Sequence, residues 1–218
     1  MGENILTSDQ KKVLAFLSKD PVFSKHFYFT GGTPLSAYYL HHRYSEDLDF
    51  FSEEEVDLIW LTSLKDQIKR VIGALSGEVH QAFNRNLLFF YLTGGALKTE
   101  FTYFPFKQIE PVDVISGLRV DSLKDMAVNK FFTIYQKPSA RNFIDLYLIL
   151  KRNEFSWEEL RKLAGIKFDT PIDSIQLGAQ LITAENISDL PRMIQTVDEK
   201  EWRAYFLEKA KELKNSIC

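Results

Sequence analysis

The chain has 218 residues, 45% apolar and 26% charged, with a formal net charge of −3. That balance excludes a disordered chain and argues against a long basic groove held on nucleic acid by charge alone, although 27 Lys and Arg allow a local basic pocket. The single cysteine, Cys218, excludes an internal disulfide and any cysteine-based metal site built from one chain.

Met1 to Lys12 contains no apolar signal-peptide core, and no stretch approaches the roughly 18 apolar residues needed to span a bilayer. A cytoplasmic protein without a membrane segment is expected. With 18 Phe and 9 Tyr, its core should be aromatic. Residues 8–18 read as a short helix with Ser8 as N-cap, closed by Pro21. Residues 26–30 (HFYFT) are β-prone and are broken by Gly31-Gly32. Thr33 can cap a helix carrying Pro34 at its first position and running to about His41. Residues 46–51 (EDLDFF) read as a second strand, 53–75 as a helix, and 87–93 and 96–104 as strands joined at Gly94-Gly95. Beyond Leu123 the pattern is helical, over about 122–136, 140–152, 156–164, 173–184 and 199–215. The fold class is therefore α+β: a mixed sheet with flanking helices, followed by a helical C-terminal part. The strands should stop between Pro111 and Ser122, giving an α/β core over 1–115 and a helical region over 116–218 packed on it.

Chemistry concentrates in residues 29–51, FTGGTPLSAYYLHHRYSEDLDFF. Asp47 and Asp49, two apart on a strand, project the same way and repel each other unless a cation lies between them. Mg²⁺ commonly binds through one or two carboxylates plus substrate phosphates. Gly31, Gly32 and Thr33, at a helix start, can offer backbone N–H groups and a hydroxyl to those phosphates. A lone Asp-x-Asp is usually only solvated; the glycine turn, helix and strands around this one favour a metal site.

A site with two ions roughly 3.5–4 Å apart calls for a third carboxylate. Glu100 is the best placed, alternating with Lys98 and Thr102 on the polar face of its strand while Leu97, Phe101 and Tyr103 face the core. In an antiparallel sheet that face could lie beside Asp47 and Asp49. In the helical half, Lys130 interrupts an apolar stripe, and Asp145 stands in a helix that is apolar almost all round. A buried carboxylate requires a partner, and Lys130 or Arg141 would serve. Spacing alone favours a structural ion pair; the functional alternative puts Lys130 on nucleotide phosphates with Asp145 orienting it. Arg43 could reach a phosphate bidentately or be a solvated surface residue. His26, His41, His42 and His80 show no metal-ligand spacing.

Gly31-Gly32-Thr33-x-Leu35, followed by His42-Arg43-x-Ser45-x-Asp47-Leu48-Asp49-Phe50-Phe51, resembles the AbiEii/AbiGii-type nucleotidyltransferase toxin family, part of the DNA polymerase β-like superfamily. The stretch Leu123 to Lys130 and the stretch Arg141 to Tyr147 resemble its helical motifs. The resemblance implies a polymerase-β-like sheet with a helical C-terminal part. It implies transfer of a nucleoside monophosphate from an NTP to an acceptor such as the 3′ end of a tRNA or another RNA, with an antitoxin as protein partner. By position it makes Asp47 and Asp49 metal ligands; with Glu100, read from its strand, as third carboxylate, the expected cofactor is Mg²⁺, as two ions replaceable by Mn²⁺. It makes Lys130 and Asp145 active-site residues and sets Gly31, Gly32 and Thr33 against phosphate; Lys130 and Arg43 are the cations expected at the nucleotide. Two departures stand out: Thr33 where the superfamily commonly has Ser, and the longer Glu100 as third carboxylate. Transfer to a small molecule or protein hydroxyl, and a degenerate nucleotide-binding protein, are the alternatives.

Overall fold

In the computed structural model residues 5–152 and 155–215 are described; Met1–Asn4 and Cys218 lie outside them. The chain divides into two units, one formed by residues 1–39 and 44–122 and the other by 40–43 and 123–218.

The first unit opens with α1 (Ser8–Leu17), which buries Val13, Leu14 and Leu17. Its N-cap is Thr7, one residue before the expected Ser8, in a reciprocal capping box with Gln10. Pro21 begins a helix instead of ending one: Asp20 accepts from Phe23 N–H, and Pro21 occupies the first position of α2 (Pro21–His26). That shortens the first strand to β1 (Tyr28–Thr30). Gly31, not Thr33, is the N-cap of α3 (Gly32–Pro34), which continues as a π-helix over Leu35–Leu40. After β2 (Leu48–Ser52), α4 occupies Leu58–Ile72 and not the whole of 53–75. Asp57 caps its first N–H groups, and Gly73, left-handed at φ 68°, ends it.

Then come β3 (Ser76–Ala82), β4 (Arg85–Leu92), β5 (Gly95–Tyr103), β6 (Asp113–Ile115) and β7 (Leu118–Val120). The seven strands form one mixed sheet in the order β3-β4-β5-β2-β1-β7-β6. Strand β3 went unpredicted because it is an edge strand, exposed or half-exposed throughout and so lacking apolar alternation. The β6–β7 hairpin turns at Ser116-Gly117 inside the segment expected to lack strands. Its β7 pairs in parallel with β1, which carries the first unit on to Ser122.

One side of the sheet is sealed by rings. Phe50 and Phe101 lie 5.1 Å apart, with Phe23 edge-on to Phe50 at 5.0 Å and Phe27 stacked on Trp60 at 5.2 Å. Such pairs add about 0.5–1.5 kcal/mol each beyond their buried area. Because strand side chains alternate, seating Phe50 and Phe101 in this core turns Asp49 and Glu100 to the opposite face.

The second unit holds α5 (Leu123–Gln136), α6 (Ala140–Lys151), α7 (Trp157–Lys167), α8 (Ser174–Ile182), a 3₁₀ turn (Thr183–Glu185) and α9 (Glu199–Asn215). Phe143 of α6 packs on Trp202 and Phe206 of α9, and Phe132 of α5 stacks on Phe168 at 3.8 Å. A buried ion pair, Lys167 to Asp125 at 2.7 Å, ties α7 to α5. Residues 40–43 join this unit: Met193 bridges Arg43, and Ile194 and Gln195 donate to the His42 carbonyl.

Candidate active site

The first unit gathers three of the predicted acids on one sheet face. Strand β2 pairs with β5 in parallel, correcting the antiparallel arrangement expected, and the register sets Asp49 directly beside Glu100. Asp47 lies one residue before β2 and Asp49 within it; both are half-buried. Gly31 sits so close that a Cβ there would come within 2.7 Å of Asp49 Oδ2. Its φ of 84° and ψ of −153° are tolerated almost only by glycine. The sequence thus needs Gly31 for two reasons, backbone conformation and approach to a carboxylate.

The loop entering β2 is held from below. The Thr33 hydroxyl is buried and donates a very short hydrogen bond to the Asp47 carbonyl, with the Ser45 hydroxyl 2.8 Å away. Its hydroxyl is therefore engaged inside the protein, not turned outward as the phosphate reading required. Gln10, buried in α1, donates its amide to the Ser45 and Glu46 carbonyls at 3.1 and 3.0 Å. Gln10 escaped prediction; its only signal was local, the Thr7-x-x-Gln10 capping box.

Two of the three acids, Asp47 and Glu100, have a cationic neighbour. Lys98 Nζ lies 2.9 Å from Asp47 Oδ2 and 3.9 Å from Glu100 Oε2. Arg85, also unpredicted, donates Nε to Glu100 Oε1 at 2.6 Å and Nη2 to Oε2 at 2.7 Å, while the Thr102 hydroxyl donates to Oε1 at 2.8 Å. Glu100 and Thr102 are buried on this polar face of the strand. Burial pushes the Glu100 carboxyl up, but the hydrogen bonds from Arg85 and Thr102, with the Arg85 and Lys98 charges, outweigh it and hold the pKa below its usual value.

These placements bear on a metal. Asp47 and Asp49 suit a hard divalent cation: they are oxygen donors, half-buried and two residues apart, and Asp47 is met by the partly exposed Lys98 ammonium. Glu100 does not fit as the third ligand, because both its oxygens are occupied by Arg85 and Thr102. Among the described residues no group of three or more His, Cys, Asp and Glu side chains is arranged to hold a metal ion.

The second unit gathers the other predicted residues around Asp145, which is wholly buried. Arg43 grips it in a fork, Nε to Oδ1 at 2.7 Å and Nη2 to Oδ2 at 2.8 Å. Lys130 Nζ lies 2.9 Å from Oδ2 and donates to Asn142 Oδ1 at 3.0 Å. The His42 ring reaches Oδ1 through Nε2 at 2.7 Å. Lys130 is the partner expected; Arg141 is exposed and is not one. Arg43, 3% exposed, is not the solvated surface residue that was the alternative. Burial raises the Asp145 pKa, yet Lys130 and Arg43 outweigh it and hold the carboxyl well below the usual range. Burial lowers the Lys130 pKa, offset in part by Asp145. Burial also lowers that of His42. A neutral His42 facing a carboxylate must carry its proton on Nε2 and donate it.

The profile of the nucleotidyl transferase AbiEii toxin family, of type IV toxin–antitoxin systems, matches residues 15–214. The chain belongs to this family. Solved structures similar to this AbiEii-family chain include JHP933 from Helicobacter pylori, with a TM-score of 0.60 and 19% identity over 95% of this chain and 90% of that one. MenT4, a nucleotidyltransferase toxin from Mycobacterium tuberculosis, has a TM-score of 0.56 and 15% identity over 94% and 84% of the two chains. At such identities they establish the fold. A protein of Aquifex aeolicus, aq_aa25, is 29% identical over 146 residues, covering 65% of this chain and 66% of its own length. No helix among the described residues is long and apolar enough to cross a membrane.

Proposed function

We propose that this AbiEii-family protein transfers a nucleoside monophosphate from an NTP to an acceptor hydroxyl, with Mg²⁺ as cofactor, RNA (a tRNA 3′ end above all) as acceptor and an antitoxin as its protein partner. The observation that carries the reading is Gly31 set against the Asp49 carboxylate, with Asp47 on the same side of the chain two residues before it. Such a place holds a triphosphate and its counter-ion together, since backbone approaches phosphate closely only where no Cβ intervenes.

In this reaction the acceptor oxygen attacks the α-phosphorus, its proton leaves, the bond to the β-phosphate bridge breaks, and pyrophosphate departs. Asp47 and Asp49 would hold the metal, which supplies Lewis-acid charge to the triphosphate. The chain's own part is positional. Gln10 and Thr33 fix the loop that presents Asp47, and Gly31 sets the distance to Asp49. Lys98, now on Asp47, is free to turn to a phosphate once a metal takes its place. In the second unit Lys130 is the cation proposed for nucleotide binding, and the wholly buried Asp145, 2.9 Å away, positions its ammonium.

Incubation with each labelled NTP, Mg²⁺ and total cellular RNA, beside the Asp49→Ala variant, tests the proposal. Label in a discrete RNA band, lost in the variant, is the expected result. Label appearing only on protein or on a small molecule would refute the RNA acceptor. No Asp49-dependent transfer to any acceptor would refute the activity.

A further inference from the structure

We infer that Glu100 is not a metal ligand but a positioning residue for Arg85, and that Arg85 is a further substrate-binding group, contacting the phosphates of the bound nucleotide. The inference rests on the nucleotidyl-transfer reading above and deepens it.

The orientation of the pair carries the case. Of its two side chains the acid is the buried one, 7% exposed, and the guanidinium the open one, 51% exposed. A carboxylate serving a metal should present an oxygen toward solvent and the ion. Here Oε1 receives Arg85 Nε and the Thr102 hydroxyl, and Oε2 receives Arg85 Nη2, so the acceptors face inward along the sheet. Freeing Glu100 for a metal would break a two-point, charge-assisted contact and strip a buried acid of its partners. The arginine, in contrast, spends two of its five N–H groups on Glu100, which leaves three on a half-exposed group.

The strand register puts that group on the right face. Leu87 of β4 stands opposite Glu100 and Arg85 opposite Thr102, so Arg85, Leu87, Lys98, Glu100 and Thr102 all project to the side of the sheet that bears Asp49. The Glu100 hydrogen bond, and more weakly the Glu100, Asp49 and Asp47 charges, raise the Arg85 pKa against the effect of burial. A nucleoside triphosphate brings several negative charges, more than a single ion on two aspartates would neutralise. Lys98 and Arg85 are two cations of this face, and both lie beside Glu100. A guanidinium already locked by a carboxylate pays little entropy on meeting a phosphate, which is the use of a buried acid at this position.

Mn²⁺ binding to the full chain, followed by titration calorimetry, separates the roles when set beside steady-state kinetics. Glu100→Gln is expected to hold the Mn²⁺ dissociation constant within about threefold of the parent, whereas Asp47→Ala weakens it by ~10-fold or more. Arg85→Ala should raise the KM for NTP by ~10-fold with a smaller change in kcat, as loss of a ground-state phosphate contact does. Glu100→Gln should raise KM in the same sense, the double variant should be no worse than Arg85→Ala, and Arg85→Lys should recover part of the loss. A Glu100→Gln protein that loses Mn²⁺ as Asp47→Ala does would overturn the inference and restore Glu100 to the metal, leaving nucleotidyl transfer intact. An unchanged KM in Arg85→Ala would reduce the pair to a surface ion pair. A parent that binds no Mn²⁺ and turns over no NTP would instead sink the underlying reading.

Discussion

Asp47 and Asp145 are the same side chain in opposite surroundings. Asp145 has no exposed surface and is met by an arginine fork, a lysine and a histidine N–H. Asp47 keeps 38% of its side chain exposed and is met by a single lysine, itself 25% exposed. A closed set of partners makes a carboxylate an anchor whose loss is felt through the fold. A loose partner leaves it a ligand, able to exchange lysine for a metal. The contrast teaches that an acid's role is read from what already holds it and how firmly, more than from its residue type.

The sharpest way to break the comparison is to remove each acid. Asp47→Ala should lower nucleotidyl transfer by about 10³-fold or more, the scale on which lost charge stabilisation acts. Its unfolding midpoint in urea should barely move, because an exposed pair is worth only about 0.2–1 kcal/mol. Asp145→Asn should do the reverse to the fold: it strands Arg43 and Lys130 beside a neutral amide, at a cost of ~3–5 kcal/mol in urea unfolding. Equal losses of stability in the two variants would erase the distinction between anchor and ligand.

How far this distinction could be read beforehand depended on distance along the chain. Gly31, Asp47 and Asp49 were legible because each signal is local: a glycine pair ending a strand, and two acids at strand spacing. That Asp145 needed a partner was equally legible from its apolar helix, and Lys130 was among the candidates. Arg43 and His42 were not, since they lie 102 and 103 residues from Asp145 and no periodicity links segments so far apart. The side-by-side placement of Asp49 and Glu100 was expected, but through antiparallel pairing; the parallel register across some fifty residues has no local signature. Arg85 was missed because its strand reads as apolar from Leu87 onward, and a charge at a strand end is ordinarily solvent-facing. The family resemblance supplied roles for Lys130 and Asp145, whereas strand alternation alone put Glu100 forward for the metal, where its hydrogen bonds do not agree.

Glycines offer a second contrast of the same kind. Gly31→Ala would combine a backbone conformation costing ~1–3 kcal/mol with a methyl group 2.7 Å from Asp49 Oδ2. Gly73→Ala, in a left-handed helix cap with nothing within 4 Å of the added carbon, should cost only about 1–2 kcal/mol. Thermal melts should show both losses, but transfer should fall only in Gly31→Ala. Equal activity in the two would mean that Gly31 serves the turn alone.

Acid should expose the anchor gradually. His42 has its pKa lowered by burial, so below pH 6.5 the unfolded chain takes up a proton that the native ring refuses, and stability declines as pH falls. Asp145, depressed below its usual 3.8, contributes stability that is complete above that value and is lost as pH falls further through the folded pKa. In urea unfolding across pH, His42→Gln should flatten the first part of the decline relative to the parent and leave the second. A parallel pair of curves would show that His42 titrates alike in both states.

The smallest effect expected is also the most direct probe of the open site. Lys98→Met retains the apolar stem and removes the ammonium 2.9 Å from Asp47. The surface pair it breaks is worth under about 1 kcal/mol, so melting should change by no more than a few degrees. An incoming cation would no longer have to displace a resident one, so calorimetric Mn²⁺ affinity should rise by about 3–10-fold, within what a single nearby charge supplies. KM for NTP should rise at the same time if Lys98 turns to the phosphates. Tighter metal with weaker nucleotide is a combination that neither a purely structural lysine nor a plain metal competitor can produce. Weaker Mn²⁺ binding in the variant would mean that Lys98 shapes the Asp47 carboxylate for the metal and does not stand in its way.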